Sequence, residues 1–178
     1  EQVDTLGGLA TSAELVQWLA LDVPVPLQSS DEIRAVVRDL LRAGGFKPTG
    51  RSKPAPEYLL RVARDAQLSP INVAVDIGNV VSLHSGLPIS VVDLAVAQPP
   101  LHVAVAPPGS SYEFNPSGQT IDVGGLLCLC DASGPCASAV KDSQRTKTSM
   151  ATRRTLSLIW GAAKLTQQTA AAEAWYHE

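Results

Sequence analysis

The sequence lacks several features that would place the protein in a specialised class. It contains no apolar run of about 18 residues, the length that favours a membrane-spanning helix. Its first residues, EQVDTLGG, carry neither the basic segment nor the apolar segment of a secretory signal peptide. Aromatic residues make up only 4% of the 178 residues, yet 45% are hydrophobic, which is enough for a sizeable core. We therefore expect a cytoplasmic protein, without membrane association, that folds as one domain over residues 1–178.

Cysteine is also scarce, since Cys128, Cys130 and Cys136 are too few for a disulfide framework. Their C-x-C-x5-C spacing has no fourth ligand nearby, because the three histidines lie far away in the sequence. In LLCLCD, the first two cysteines alternate onto one face of a strand, where buried thiols are common. The motifs G-x-S-x-G, P-loop, G-x-G-x-x-G, HExxH and CxxC are missing. We expect no metal and no cofactor.

The formal net charge of −3 does not favour nonspecific electrostatic binding of nucleic acid by the protein as a whole. Any RNA contact has to be local, and two basic groups could supply one. The first interleaves with acidic residues and is interpreted as solvated helix faces and loops; it comprises Arg34, Arg38, Arg42, Lys47, Arg51 and Lys53. The second has only Asp142 against five cations and is the better candidate for a phosphate or carboxylate partner. It comprises Lys141, Arg145, Lys147, Arg153 and Arg154.

Helices are predicted mainly in the first third of the chain. Capping boxes of the form S/T-x-x-E begin at Thr11 and Ser29, each followed by apolar residues at helical spacing. Gly44-Gly45 ends the second of these helices. EYLLRVARDAQL predicts a third helix, and a final helix is expected to begin near Thr166.

From Pro70 onwards, short β-like runs alternate with turn residues. The runs are INVAVDI, ISVVDLAV, LHVAVA, QTIDV, GLLCLCD and TLSLIWG. Asp76 and Asp93 lie at the ends of apolar runs, where a carboxylate usually caps backbone N–H groups. Helices first and many short strands afterwards predict an α+β protein rather than a doubly wound parallel sheet.

Residues 70–94, PINVAVDIGNVVSLHSGLPISVVDL, resemble the B3/B4 editing domain of the phenylalanyl-tRNA synthetase β subunit. The family pattern there is approximately P-I-N-x-x-V-D-x-T-N-Y-V-M-L-x-x-G-Q-P-x-H-A-F-D. The matching positions are Pro70, Ile71, Asn72, Val75, Asp76, Asn79, Val81, Leu83, Gly86, Pro88 and Asp93. The chain is similar to freestanding B3/B4 proteins over GSSYEFNPSGQTIDVGGLLCLCDASGPC and VKDSQRTKT as well.

This resemblance implies a fold, a division of the chain and an activity. The fold would be a mixed β-barrel or sandwich flanked by helices. Residues 55–165 would form the B3/B4-like core, residues 1–54 an N-terminal helical part, and residues 166–178 a C-terminal helix. In the synthetase, the domain hydrolyses tyrosine that has been wrongly esterified to the phenylalanine tRNA.

The family's pocket residues are replaced in this sequence. Its threonine before the asparagine falls on Gly78, and its histidine after Gly-Gln-Pro falls on Ser90. The paired glycines fall on Asp142 and Ser143, and the glutamate that recognises the tyrosine hydroxyl falls on Leu158. A leucine cannot hydrogen-bond a phenol, so tyrosine editing is not expected. The substitutions predict a pocket for a smaller or more polar ligand.

Three functions remain open on these residues. The first is a hydrolase that deacylates a mischarged tRNA, with Asn79, Asp142 and Ser143 as catalytic residues. The second is a non-catalytic module that binds an amino acid-like ligand or RNA, and the third is a scaffold for protein contacts. Substrate would contact Gly78, His84, Ser90, Lys141, Arg145 and Leu158. His84 has a plain alternative, because one histidine on an apolar strip is more often structural.

Overall fold

The computed structural model describes residues 4–50 and 52–178; the Arg51 of the first basic group lies outside these ranges. A short 3-10 helix, Leu6–Gly8, precedes helix α1, Ala13–Gln17, and helix α2, Asp31–Arg42. Both helices begin one residue later than their predicted capping boxes. Ser12 and Ser30 are the N-caps, and the hydroxyl of each accepts a hydrogen bond from the backbone N–H of the third residue of its helix. Thr11 instead donates to Asp76 over 2.6 Å.

Helix α3, Ala55–Arg64, is followed by helix α4, Val73–Ser85, and here one prediction is wrong. INVAVDI was expected to be a strand, but Asn72 caps a helix by accepting from the backbone N–H of Val75. Gly86, at φ 77°, ends this helix in the left-handed conformation. Because α4 is buried on most of its surface, its apolar residues show no helical stripe, and the β-branched run imitates a strand.

The strands form small antiparallel sheets. They are β1 Ile89–Asp93, β2 His102–Val105, β3 Ser111–Glu113, β4 Thr120–Asp122, β5 Leu127–Asp131, β6 Gly134–Ser138 and β7 Thr155–Ile159. β1 pairs with β7, β5 lies between β2 and β6, and β3 pairs with β4. The α+β prediction is confirmed. The expected core was a mixed barrel or a sandwich flanked by helices; every strand pair described is antiparallel, and these strands form several small sheets rather than a closed barrel.

A loop contacts the second edge of β1. Val92 makes an isolated antiparallel bridge with Lys147, in the segment between β6 and β7. The two aspartates that were expected to cap backbone groups do so. Asp76 accepts from the N–H of Ile71, and Asp93 accepts from the N–H of Ala95, each over 2.8 Å.

The core joins the N-terminal helices, the sheets and helix α5, Thr166–His177, which begins where the sequence predicts. Cys128 and Cys136 are fully buried within it, and burial raises the pKa of their thiols to about 12 and about 11. They are therefore neutral packing groups. Residues 4–50 and 52–178 contain no group of three or more metal-ligating side chains, and no helix there has the length and apolarity of a membrane span.

Candidate functional site

The β1–β7 ribbon divides the predicted pocket residues between its two faces. Ser90 is paired with Leu158 in the register, so their side chains share one face. Val91 and Ile89 point to the opposite face, where α4 packs. A Cβ added at Gly78 would lie 3.1 Å from Val91 Cγ2, so the missing side chain allows α4 to approach the strand closely. Gly78 therefore serves helix packing, and the space beside it is already filled.

Ser90 and Asp142, which are 52 residues apart in sequence, form the centre of a buried polar network. The Ser90 hydroxyl donates to Asp142 Oδ1 over 2.7 Å and accepts from Trp160 Nε1 over 2.9 Å. The same carboxylate oxygen accepts from the backbone N–H of Ser138 over 3.1 Å. Ser90 is only 1% exposed, whereas Asp142 is half-buried. The serine hydroxyl is therefore closed off from solvent.

The Asp142 carboxyl has an unusual acidity for its residue type. Burial raises its pKa to about 6, while donors from Ser90 and Ser138, the positive charge of Lys147 and a backbone hydrogen bond from Val91 act in the opposite direction. The donors Ser90, Ser138 and Val91 are neutral, and Lys147 acts only through its charge. Within residues 4–50 and 52–178, no arginine forms an ion pair with this carboxylate. A carboxyl group with a pKa near neutrality can exchange protons at the pH of the cell, which is the requirement for a general base.

Tyr112 and Ser143 hold the loop that carries Asp142. The Tyr112 hydroxyl contacts Ser138 Oγ at 2.9 Å and the backbone carbonyl of Lys141. Burial raises the pKa of Tyr112, so it remains a neutral phenol. Ser143 is buried; its N–H donates to the carbonyl of Cys136, and its hydroxyl accepts from the N–H of Arg145 at the start of the 3-10 helix Gln144–Thr146. The Ser143 side chain thus fixes a turn.

An open cleft of about 430 Å³ lies beside this loop. Lys141, the residue before Asp142, lines it, and its Nζ lies 3.8 Å from the centroid of the Phe114 ring. Lys147 Nζ contacts the carbonyl of Phe114, so two cations border the cleft on the side of the Asp142 loop. The full lining is Ser52, Phe114, Gly118, Gln119, Thr120, Ile121, Asp122 and Lys141. Its size suits part of a small ligand or a nucleotide.

Arg145 lies apart from this network and is engaged by another carboxylate. Its guanidinium forms two hydrogen bonds with Asp131, of 2.6 and 3.0 Å. The Asp131 side chain is 0% exposed. Burial would raise its pKa, but Arg145 and the N–H groups of Gln98 and Ser133 outweigh burial and lower it. Arg145 therefore stabilises a buried anion.

His84 and Asn79 both lie on α4, away from the Asp142 loop in their described contacts. His84 Nε2 lies 2.8 Å from the carbonyl oxygen of Trp18, and the ring packs 6.0 Å from that of Trp175. These contacts suit the structural role that the sequence analysis gave as the alternative to substrate contact for His84. Asn79 is half-buried and follows Gly78 on the helix.

A comparison with protein families bears on this arrangement. The model of the B3/4 domain matches residues 45–171, which is well over half of the chain. The chain belongs to the B3/4 domain family. The match begins before α3 and ends inside α5, so it includes both the Asp142 network and the Lys141 cleft of this B3/4 domain. Among curated proteins, no match to the chain is found.

The sequence analysis missed three residues of the polar network around Ser90 and Asp142, namely Tyr112, Ser138 and Trp160. Tyr112 and Ser138 lie 26 residues apart, and nothing in a single sequence marks them as partners. Trp160 could have been found, because the alternation of TLSLIWG places it with Leu156 and Leu158 on one side. That is the face Leu158 shares with Ser90, to which the indole donates.

Proposed function

We propose that this B3/4 domain protein hydrolyses the ester of a mischarged aminoacyl-tRNA, with Asp142 as the general base. The observation that supports the proposal is the Asp142 carboxyl itself. It is half-buried, fixed by Ser90 and Ser138, raised in pKa to about 6, and placed directly after the Lys141 that lines the cleft. A polar group held in this way, on the residue next to one that lines a cleft, needs little rearrangement before it reacts.

The proposed reaction is a direct attack of water on the aminoacyl ester. The ionised Asp142 takes a proton from a water molecule while the water oxygen bonds to the acyl carbon. The bond from that carbon to the ribose oxygen then breaks, and the ribose oxygen receives a proton. The products are a free amino acid and the tRNA. Charge that develops on the acyl oxygen is stabilised by the two cations near the cleft, Lys141 and Lys147.

Other predicted residues have supporting parts in this proposal. Ser143 fixes the loop through its bond with Arg145 N–H. Asn79 lies on α4, which packs on the face of β1 opposite to Ser90, so it takes no part in the proposed step. Leu158 shares a face with Ser90 and presents no hydrogen-bonding group. We therefore infer that the part of the acyl side chain beside Leu158 lacks the hydroxyl of tyrosine, since a phenol would lose its hydrogen bond to water without replacement.

A non-catalytic binding module is the second candidate, and one observation favours it. Ser90, at the position of the family histidine, is 1% exposed and bonded to Asp142 and Trp160. Because its hydroxyl already forms these two hydrogen bonds, it is not available to a ligand. A protein with this closed network and the open Lys141 cleft could retain an aminoacyl group or RNA without cleaving it.

Release of labelled amino acid from a panel of mischarged tRNAs decides between the two. The proteins compared are the wild type, Asp142→Asn, Asn79→Ala and, as a matched aspartate control, Asp22→Asn in an exposed loop. The proposal predicts release from one or a few tRNAs by the wild type and the control, with release lost in Asp142→Asn. No release from any member of the panel by folded wild-type protein would overturn it and favour the binding module.

A further inference from the structure

The arginines of α2 and α3 gather at a second cleft, which the sequence did not single out. This cleft has a volume of about 180 Å³ and is lined by Arg34, Arg38, Glu57, Leu60, Arg61 and Arg64. Glu57 is bound by Arg38 through two hydrogen bonds of 2.7 Å, and Arg34 pairs with Asp31. The guanidinium groups of Arg61 and Arg64, three residues apart on α3, add further positive charge at the same place.

Tyr58 connects this arginine cleft with the Lys141 cleft. Arg61 Cζ lies 5.4 Å from the centroid of the Tyr58 ring, and Lys141 Nζ lies 5.3 Å from the same centroid. Lys141 Nζ is also 3.8 Å from the Phe114 ring. Cations and aromatic rings therefore alternate from α3 to the Asp142 loop. We call Arg64, Arg61, Tyr58, Lys141 and Phe114 the basic-aromatic stripe.

The charge of this surface differs from that of the whole protein. The two clefts are lined by five cationic side chains and two carboxylates, although the chain as a whole has a formal net charge of −3. Of the two carboxylates, Glu57 is neutralised by Arg38, and Asp122 accepts from the N–H of Gly124. An acidic protein that concentrates cations beside two half-buried rings at one place has a local site for an anionic partner.

We propose that the basic-aromatic stripe binds single-stranded RNA and leads its 3′ end to the Asp142 loop. Alternating cations and rings fit a single strand, because phosphates pair with Arg and Lys while unpaired bases stack on Tyr or Phe. A duplex offers phosphates but keeps its bases stacked on each other, so it leaves the rings without a partner. The inference names the RNA-binding surface of the proposed deacylase and rests on that proposal only for the position of the acyl end.

Fluorescence anisotropy with a labelled oligoribonucleotide of about 12 nucleotides that carries no aminoacyl group tests this surface directly. We expect the single strand to bind at least tenfold more tightly than the same sequence in a duplex. Arg61→Ala combined with Arg64→Ala should weaken binding at least tenfold and lower the slope of log K against log salt by about 0.7 for each lost phosphate contact. Lys164→Ala, which removes an exposed cation in the 3-10 helix Ala163–Leu165, is the control and should bind as the wild type does.

Substitutions at Tyr58 separate stacking from charge. Tyr58→Leu removes the ring and should weaken binding about tenfold without changing the salt slope. Tyr58→Phe keeps the ring and should retain wild-type binding, which also shows that the loss in Tyr58→Leu comes from stacking. Thermal unfolding of each variant checks that the fold is intact. Equal binding by Tyr58→Leu, by the arginine double variant and by the wild type would overturn the inference.

Two further comparisons identify the partner and keep the proposals distinct. Polyglutamate that competes as strongly as the oligonucleotide would overturn the assignment to RNA, because it carries charge but no bases. Asp142→Asn should bind the oligonucleotide as tightly as the wild type, since no acyl group is present. If the stripe binds the oligonucleotide but the protein hydrolyses no tRNA, the deacylase proposal is rejected and the RNA-binding proposal stands. Hydrolysis of tRNA at the wild-type rate and KM by the arginine double variant would reject the stripe alone.

Discussion

Two aspartates near opposite ends of β6 show how surroundings assign different roles to one residue type. Asp131 is fully buried and held by the Arg145 fork, which keeps its pKa low. Asp142 receives donors from Ser90 and Ser138, and burial raises its pKa to about 6. A carboxylate with a permanent cationic partner is locked as an anion, whereas one held by neutral donors can exchange its proton. The first is suited to structure and the second to chemistry.

The largest expected effect comes from removing the carboxylate at Asp142. Asp142→Asn keeps the size of the side chain and an oxygen that can accept from Ser90, but it cannot take a proton from water. We expect the rate constant of tRNA deacylation to fall by about 10² to 10⁴. Single-turnover release of amino acid measures it. Equal rates of tRNA deacylation by Asp142→Asn and by the Asp22→Asn control would contradict the chemical role assigned to Asp142.

Removal of the cationic partner at the other aspartate should affect stability. Arg145→Ala leaves the Asp131 carboxylate buried without its guanidinium, at a cost of about 3 kcal/mol in the free energy of unfolding. Denaturant titration at neutral pH measures it. Arg42→Ala, which breaks the exposed pair with Asp39, should cost about 0.5 kcal/mol or less. Similar losses in the two variants would show that Arg145 does not hold a buried anion.

The two aspartates should also give stability opposite dependences on pH. The pKa of Asp142 is raised, so between about 4 and 6 the folded state binds more protons than the unfolded chain, and this residue lowers stability as the pH rises. The pKa of Asp131 is lowered, so its contribution is present above the unfolded pKa and is lost as the pH falls through the folded one.

Thermal unfolding of the wild type and of Asp142→Asn at pH 4.5 and 7 isolates the first of these contributions. When the pH is raised from 4.5 to 7, the Tm of the wild type should fall relative to that of Asp142→Asn by about 4–8 °C. Other carboxyl groups contribute equally to both proteins and cancel in this difference. An identical change in the two proteins would mean that Asp142 titrates at its ordinary pKa.

The smallest predicted effect concerns Ser90. Its hydroxyl donates to Asp142 and favours the charged form, so Ser90→Ala should move the pKa of Asp142 above 6 and shift the pH dependence of deacylation upward. Val92→Ala, two positions further along β1 on the same face of the strand, is a control that leaves this hydrogen bond in place. A downward shift in Ser90→Ala would contradict the role assigned to the hydroxyl.

Local patterns in the sequence predicted most elements of the fold, and failed where burial removed the pattern. The stripe of α2 and the alternation of β2 and β7 depend on neighbours in the chain, so they can be read directly. Helix α4 has no solvent face of that kind, and it was mistaken for a strand over Val73 to Ile77. Its cap, Asn72, was the available signal.

The candidate site was only partly predictable, because its contacts join distant segments. The family pattern placed Ser90 and Asp142 at corresponding pocket positions, and the structure brings them within 2.7 Å. The same pattern could not show that Arg145 is bound by Asp131, or that Tyr58 lies between Arg61 and Lys141. These pairs depend on how α3 and the β-hairpins pack, which no local spacing encodes.

The pH dependence of single-turnover deacylation tests the central claim most directly. On a tRNA identified by the panel, and after subtraction of uncatalysed hydrolysis, the rate constant of the wild type should rise about tenfold per pH unit below 6 and level off above it, because the charged form of Asp142 is the base. Asp142→Asn should show no such rise. A wild-type rate constant that is flat between pH 5 and 7, or a rise that persists in Asp142→Asn, would contradict the assignment of Asp142.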